Sequence, residues 1–185
     1  MTPHSGWYRA SIRPDWMVAA AAVILAVSVV ANASAPLGQV AKRTPEPPVK
    51  DMTAAEEEAW ATAAEETTIA LCGQCHPIQE ITRTRLTWSE WSDSVLTMGA
   101  LGVPTTEARL TTVKLYLTRY YGAVYINTAT AAEISAVLGL SSKDAAAIVE
   151  YRKANGRFAN AEALAKVAGI DKSRIEEQPE AIRFD

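Results

Sequence analysis

The chain has 185 residues, 49% of them hydrophobic and 21% charged, a balance that excludes an acidic disordered polypeptide. Its 18 basic and 21 acidic residues give a net charge of −3, which excludes a wholesale basic nucleic-acid binder. Two cysteines are too few for a disulfide scaffold.

The apolar residues are unevenly spread. Residues 16–31 read WMVAAAAVILAVSVVA, an uncharged run preceded by Arg9 and Arg13 and followed by Ala31-Asn32-Ala33. A basic start, an apolar middle and small residues at a cleavage site are the layout of an export signal. We expect cleavage after Ala33, so that 1–33 is a signal peptide; the alternative is an uncleaved anchor. Either way the rest of the chain is expected in the periplasm, or facing it from the inner membrane, because the arginines precede the run. A membrane is a partner only if the anchor is retained. Cleavage would leave 16 basic and 20 acidic residues.

Residues 34–50 hold four prolines and no apolar period, so they predict an extended linker. From Asp51 to Leu71 the chain is rich in Ala and Glu without Gly or Pro, and predicts a helix with Trp60, Ala64, Thr67 and Leu71 on one stripe. Glu56, Glu57, Glu58, Glu65 and Glu66 read as a solvated face, or as a docking surface for a basic partner. A second helix is expected near Trp88–Met98. A third follows Pro104, from Thr105 to Tyr121, with the stripe Leu110, Val113, Leu117 and Tyr120. Gly122 ends it. Beyond 125 the texture changes, and Val137-Leu138-Gly139-Leu140-Ser141 recurs as Val167-Ala168-Gly169-Ile170-Asp171. The expected fold is all-α, with one small domain over 51–122 and another over 125–185.

Both cysteines lie in Cys72-Gly73-Gln74-Cys75-His76. Cys-x-x-Cys-His is the attachment pattern for one covalent haem c: each thiol can add to a vinyl group, and the adjacent histidine can ligate the iron. The apolar cofactor would supply core that so small a domain lacks. A zinc site would need further ligands, and His4 is the only other histidine. For the second axial position the methionine count points to Met98, which is otherwise core packing. Trp88, Trp91, Tyr116, Tyr120 and Tyr121 read as pocket packing. Arg83 and Arg85 read as propionate partners or as exposed loop residues.

The run from Cys72 through Trp91, Val95, Met98 and Gly102-Val103-Pro104 to Tyr116-Leu117 resembles small monohaem class I c-type cytochromes. It is similar to the cytochrome subunit of sulfite dehydrogenases and to cytochrome modules of quinohaemoprotein dehydrogenases. The resemblance implies that Met98 is the axial ligand opposite His76. It also implies an electron carrier rather than a complete enzyme, fed by a periplasmic dehydrogenase of the molybdenum or quinone-cofactor type. The electrons would pass on to another cytochrome or an oxidase.

Residues 126–185 resemble the ComEA-like helix-hairpin-helix pair of DNA-uptake proteins and of extrinsic photosystem subunits. Ile126-Asn127-Thr128-Ala129-Thr130, Ala145–Arg152, Asn155-Gly156-Arg157-Phe158 and Val167–Ile170 carry it. Thr130 and Glu133 predict a capping box. Gly139 and Gly169 predict tight turns, with Leu140 and Ile170 turned inward. DNA-binding hairpins have a second glycine where this chain has Ser141 and Asp171; both are good N-caps, but Asp171 would repel a phosphate. The segment carries eight basic and nine acidic residues. On that charge DNA is not the expected partner, and protein docking is. The expected function is therefore periplasmic one-electron transfer. The alternatives are a haem-bearing, DNA-uptake-like hairpin binding protein and a structural docking subunit of a larger redox complex.

Overall fold

The computed structural model describes residues 44–185. The expected signal or anchor (1–33) and the first part of the linker lie outside them. Among the described residues no helix is long and apolar enough to cross a membrane.

Helix α1 spans Ala54–Cys72. It begins where Thr53 accepts from the Glu56 N–H and Glu56 reaches back to the Thr53 N–H, satisfying two otherwise orphaned donors. Its buried stripe is Ala64, Thr68 and Leu71. The expected stripe is thus displaced at one position: Thr68 is inside, its hydroxyl bonded to the Ala64 carbonyl at 2.8 Å. A one-turn helix, α2 (Ile78–Ile81), follows the cysteine motif. Helix α3 (Trp88–Ala100) opens on a second capping box, Thr87 with Glu90. Helix α4 (Glu107–Tyr121) buries Val113, Tyr116 and Leu117 against α1 and α3. Trp91 donates its indole N–H to the Tyr121 carbonyl at 3.1 Å, so it packs and also holds the end of α4.

Gly122 ends α4 as expected, but in extended rather than left-handed backbone. A β-carbon there would lie 2.0 Å from the Thr118 carbonyl oxygen, so close backbone approach requires the glycine. The chain then forms strand β1 (Val124–Tyr125), which pairs in parallel with β2 (Ile182–Arg183). This two-stranded sheet is an addition to the expected all-helical architecture. It closes the second half by joining its first and last residues.

Between the strands lie α5 (Ala131–Leu138), α6 (Ser142–Asn155), α7 (Ala161–Leu164), α8 (Lys172–Glu176) and a 3-10 turn at Pro179–Ala181. The Thr130–Glu133 capping box is present at α5. Val124, Ile126, Ile134, Leu138, Ile148, Phe158, Leu164 and Ile182 form the core of this half. The first half has its own core, around Leu71, Trp91, Val95 and Leu117. The mostly helical architecture with a hairpin half is as expected.

Candidate functional site

The two turns of the hairpin half are built alike. Gly139 is left-handed at φ 63° and Gly169 at φ 77°. After each, an apolar residue turns inward, Leu140 and Ile170, both buried. Next comes an N-cap: Ser141 accepts from the Asp144 N–H at 3.1 Å, and Asp171 accepts from the Ser173 N–H at 3.1 Å. The turns thus deliver the chain to the starts of α6 and α8. There free N–H groups and the helix dipole give a positive end suited to an anion.

In this structure those ends carry carboxylates. The Ser142 N–H donates to Asp51 at 2.7 Å and the Ser142 hydroxyl donates to the same oxygen at 2.9 Å. These bonds hold the Asp51 carboxyl below its ordinary pKa. At the second turn the Asp171 N–H donates to Asp144 at 3.2 Å, and the Ser173 hydroxyl donates to Asp171 at 2.6 Å. Ser173 correspondingly lowers the Asp171 pKa.

The hairpin half is joined to α1 and α4 through ions. Arg119, on α4, donates to Glu57 at 2.9 Å and to the Val137 carbonyl at 3.3 Å. Arg174, on α8, pairs with the same Glu57. Burial pushes the Glu57 carboxyl up in pKa, but Arg174 and Arg119 outweigh it and hold it below the ordinary value. Inside the hairpin half, Asn127 donates to the carbonyls of Phe158 and Phe184 and accepts from the Phe158 N–H.

The other sequence-predicted residues also converge. Cys72 closes α1, Cys75 and His76 follow in the turn, and Met98 comes from α3; all four line one cavity. The cavity has about 770 Å³ of empty space, part of it open to solvent, and its other walls include Leu71, Trp91, Val95 and Leu117. Met98 is 43% exposed, so it is a rim residue rather than core packing. Cys72 is half-buried and its thiol is pushed up in pKa by that burial; Cys75 is exposed. Arg85 is committed elsewhere, donating to the Tyr120 and Gly122 carbonyls and pairing with Glu180.

Residues 121–183 match the helix-hairpin-helix motif family. The chain is 50% identical over 60 residues to an uncharacterized protein of Haemophilus influenzae, covering 32% of this chain and 54% of that one. It is 43% identical over 53 residues to ComE operon protein 1 of Bacillus subtilis, covering 29% of this chain and 26% of the relative. Over another 53-residue match it is 43% identical to endonuclease/exonuclease/phosphatase family domain-containing protein 1 of Rattus norvegicus, covering 29% and 9%. The chain therefore spans about half of the first relative and less of the others. No solved structure matches it.

These matches correct the expected function. The matching family is the helix-hairpin-helix motif and a relative is named for the ComE operon, whereas neither is a cytochrome. The reading as a periplasmic electron-transfer cytochrome serving a dehydrogenase, with another cytochrome or an oxidase as acceptor, is overturned in favour of the hairpin-binding alternative. Cys-x-x-Cys-His spans five residues, whereas the hairpin pattern is distributed over sixty and is realised in both turns.

The sequence does not reveal Asp51, Glu57, Arg119 and Arg174 as a connected set, nor the clamping role of Asn127. Arg119 had one signal, a lone charge in the uncharged, aromatic-rich run from Tyr116 to Tyr121.

Proposed function

We propose that this chain is an exported helix-hairpin-helix binding protein of the DNA-uptake kind, a binding protein rather than an enzyme. Its first hairpin turn would contact the sugar-phosphate backbone. The carrying observation is the family match over 121–183 together with the built turn at Gly139-Leu140-Ser141. Left-handed Gly139 lets the chain reverse sharply, buried Leu140 pins the turn, and the 14-residue α6 presents its positive end. Export is supported by the basic-apolar-small layout before residue 36.

A hairpin half with nine acids against eight bases can neutralise few phosphates. Affinity should therefore be modest, with a log–log salt slope of about −1 to −3. The test is fluorescence anisotropy of a labelled duplex with the full chain, from about 0.05 M salt upward. Saturable, salt-sensitive binding supports the reading. No binding at the lowest salt overturns it.

The cavity beside Cys72, Cys75 and His76 adds a cofactor to the proposal. Its walls are mainly apolar, it opens to solvent, and both thiols and one imidazole line it, a donor set that suits a covalently held haem c. Cys72 and Cys75 would anchor the group, and His76 and Met98 would hold its iron. Such a group would supply a redox-active iron and fill the apolar space. Leu71, Val95 and Leu117 would keep water from it on the inner side. Covalent haem staining of the exported chain on a denaturing gel is the test, and loss of stain in Cys72→Ser with Cys75→Ser is the required control.

A further inference from the structure

We propose that the segment entering α1 is an intrachain mask over the hairpin half, and that Asp51 stands where a phosphate would sit on the first hairpin. The proposal rests on the reading of that turn as a phosphate contact.

Asp51 lies 91 positions from Ser142 in sequence, yet one of its oxygens takes both Ser142 donors, the backbone N–H at 2.7 Å and the hydroxyl at 2.9 Å. A carboxylate on a helix-start amide makes the charge-assisted contact that a phosphate oxygen makes. Six residues later, Glu57 makes a separate, ion-paired contact. It engages Arg174, a cation on the helix that follows the second turn, as well as Arg119. One short stretch therefore neutralises an amide end of the first hairpin and a guanidinium of the second.

The stretch is held from outside the hairpins. The Trp88 indole N–H donates to the Pro45 carbonyl at 2.6 Å, and the Thr44 and Ser89 hydroxyls are 2.8 Å apart. Asp51 is itself exposed, and its two bonds are the only ones that tie it to the hairpin side among the described residues. The second turn differs. Its carboxylate is Asp171, built into the turn two residues before the donor it caps. Displacing Asp51 would uncover the amide end of the first hairpin, whereas Asp171 would still cap the second. The asymmetry assigns nucleic-acid contact to the first hairpin and makes it conditional on displacing Asp51.

The experiment compares the full chain with Asp51→Ala and Asp51→Asn. Duplex affinity is read by anisotropy at one fixed salt concentration. The Ser142 amide is followed by heteronuclear NMR during titration with inorganic phosphate. Unmasking predicts about tenfold tighter duplex binding in Asp51→Ala, the scale of one freed charge-assisted contact. Asp51→Asn, which keeps an acceptor without the charge, should fall between. Phosphate should shift the Ser142 amide in Asp51→Ala and leave it still in the wild type. Equal and measurable duplex affinity in all three chains overturns the mask, as does an equal phosphate response or none in Asp51→Ala. If no chain binds duplex while phosphate shifts Ser142 only in Asp51→Ala, the mask stands and the DNA reading falls.

Discussion

Replacing Asn127 tests how the hairpin half is closed. Its amide nitrogen donates to the Phe158 carbonyl at 2.9 Å and to the Phe184 carbonyl at 2.8 Å, and its oxygen accepts from the Phe158 N–H at 2.8 Å. One side chain thus joins the β1–α5 connection, the segment after α6 and the C-terminal strand end. Phe158 is buried and stacks on Tyr151, with ring centroids 5.5 Å apart. Asn127→Ala strands three backbone groups at once. Each bond contributes about 0.5–1.5 kcal/mol net, and the partly buried site lets water recover some of that, so the expected loss is about 2–3 kcal/mol. For a chain of this size that is a melting shift of about 5–10 °C. The assay is thermal unfolding followed by circular dichroism. Asn127→Asp sharpens it, because an ionised carboxylate keeps the bond from Phe158 but faces two carbonyl oxygens. That variant should be at least as damaged at neutral pH and recover partly in acid, where a protonated oxygen can donate again. A melting point for Asn127→Ala within about 1 °C of wild type, the range of an ordinary surface change, would refute the clamp.

Three further predictions concern the joint between the halves and the helix starts. Gly139→Ala meets two obstacles, a left-handed φ of 63° and an added carbon 2.6 Å from the Arg119 guanidinium; it should cost about 2–3 kcal/mol by denaturant unfolding. Glu57 has its pKa lowered from the ordinary 4.5, because its two arginines outweigh its burial. Its contribution is therefore complete above the unfolded value and is lost as pH falls through the lower folded one. Glu57→Gln should flatten the acid limb of a stability-versus-pH curve, and an unchanged limb would remove Glu57 as its cause. Thr130→Ala deletes the hydroxyl that accepts from the Glu133 N–H at 3.2 Å and should cost about 1 kcal/mol in the same unfolding assay.

What could be read from sequence was what depends on near neighbours. The Thr130–Glu133 cap, the tight turns at Gly139 and Gly169 and the inward Leu140 and Ile170 follow from residues within four positions, and all are present. Helices α1, α3 and α4 begin and end within a few residues of their expected bounds because caps and apolar periods are local. The parallel pairing of Val124 with Ile182 was not legible, since two-residue strands carry no alternation and their partner lies 58 positions away. The choice between Thr67 and Thr68 for the buried stripe is illegible for a related reason. Both Thr67 and Thr68 fit the helical period approximately, and the neighbours that choose between them come from other elements.

Charge shows the same limit in its sharpest form. A sum over 126–185 treats Asp171 and Asp51 as unrelated, one inside the segment and one outside it. In the folded chain Asp51 is bonded directly to the start of α6, and Glu57 to Arg174 on α8. The local field at the first hairpin is set by acids that the count excludes. Asp144, which the count includes, turns its carboxylate toward the Asp171 amide and so counts against the second turn. Phosphate affinity responds to donors and charges within a Debye length, about 8 Å at physiological ionic strength, so net charge by segment bounds the overall salt dependence but does not say which helix start an anion can reach. The informative variable is which carboxylate holds each helix start and whether it can leave. Asp51, carried on a strap from another part of the chain, can be displaced without unmaking the turn; Asp171 is part of the turn itself.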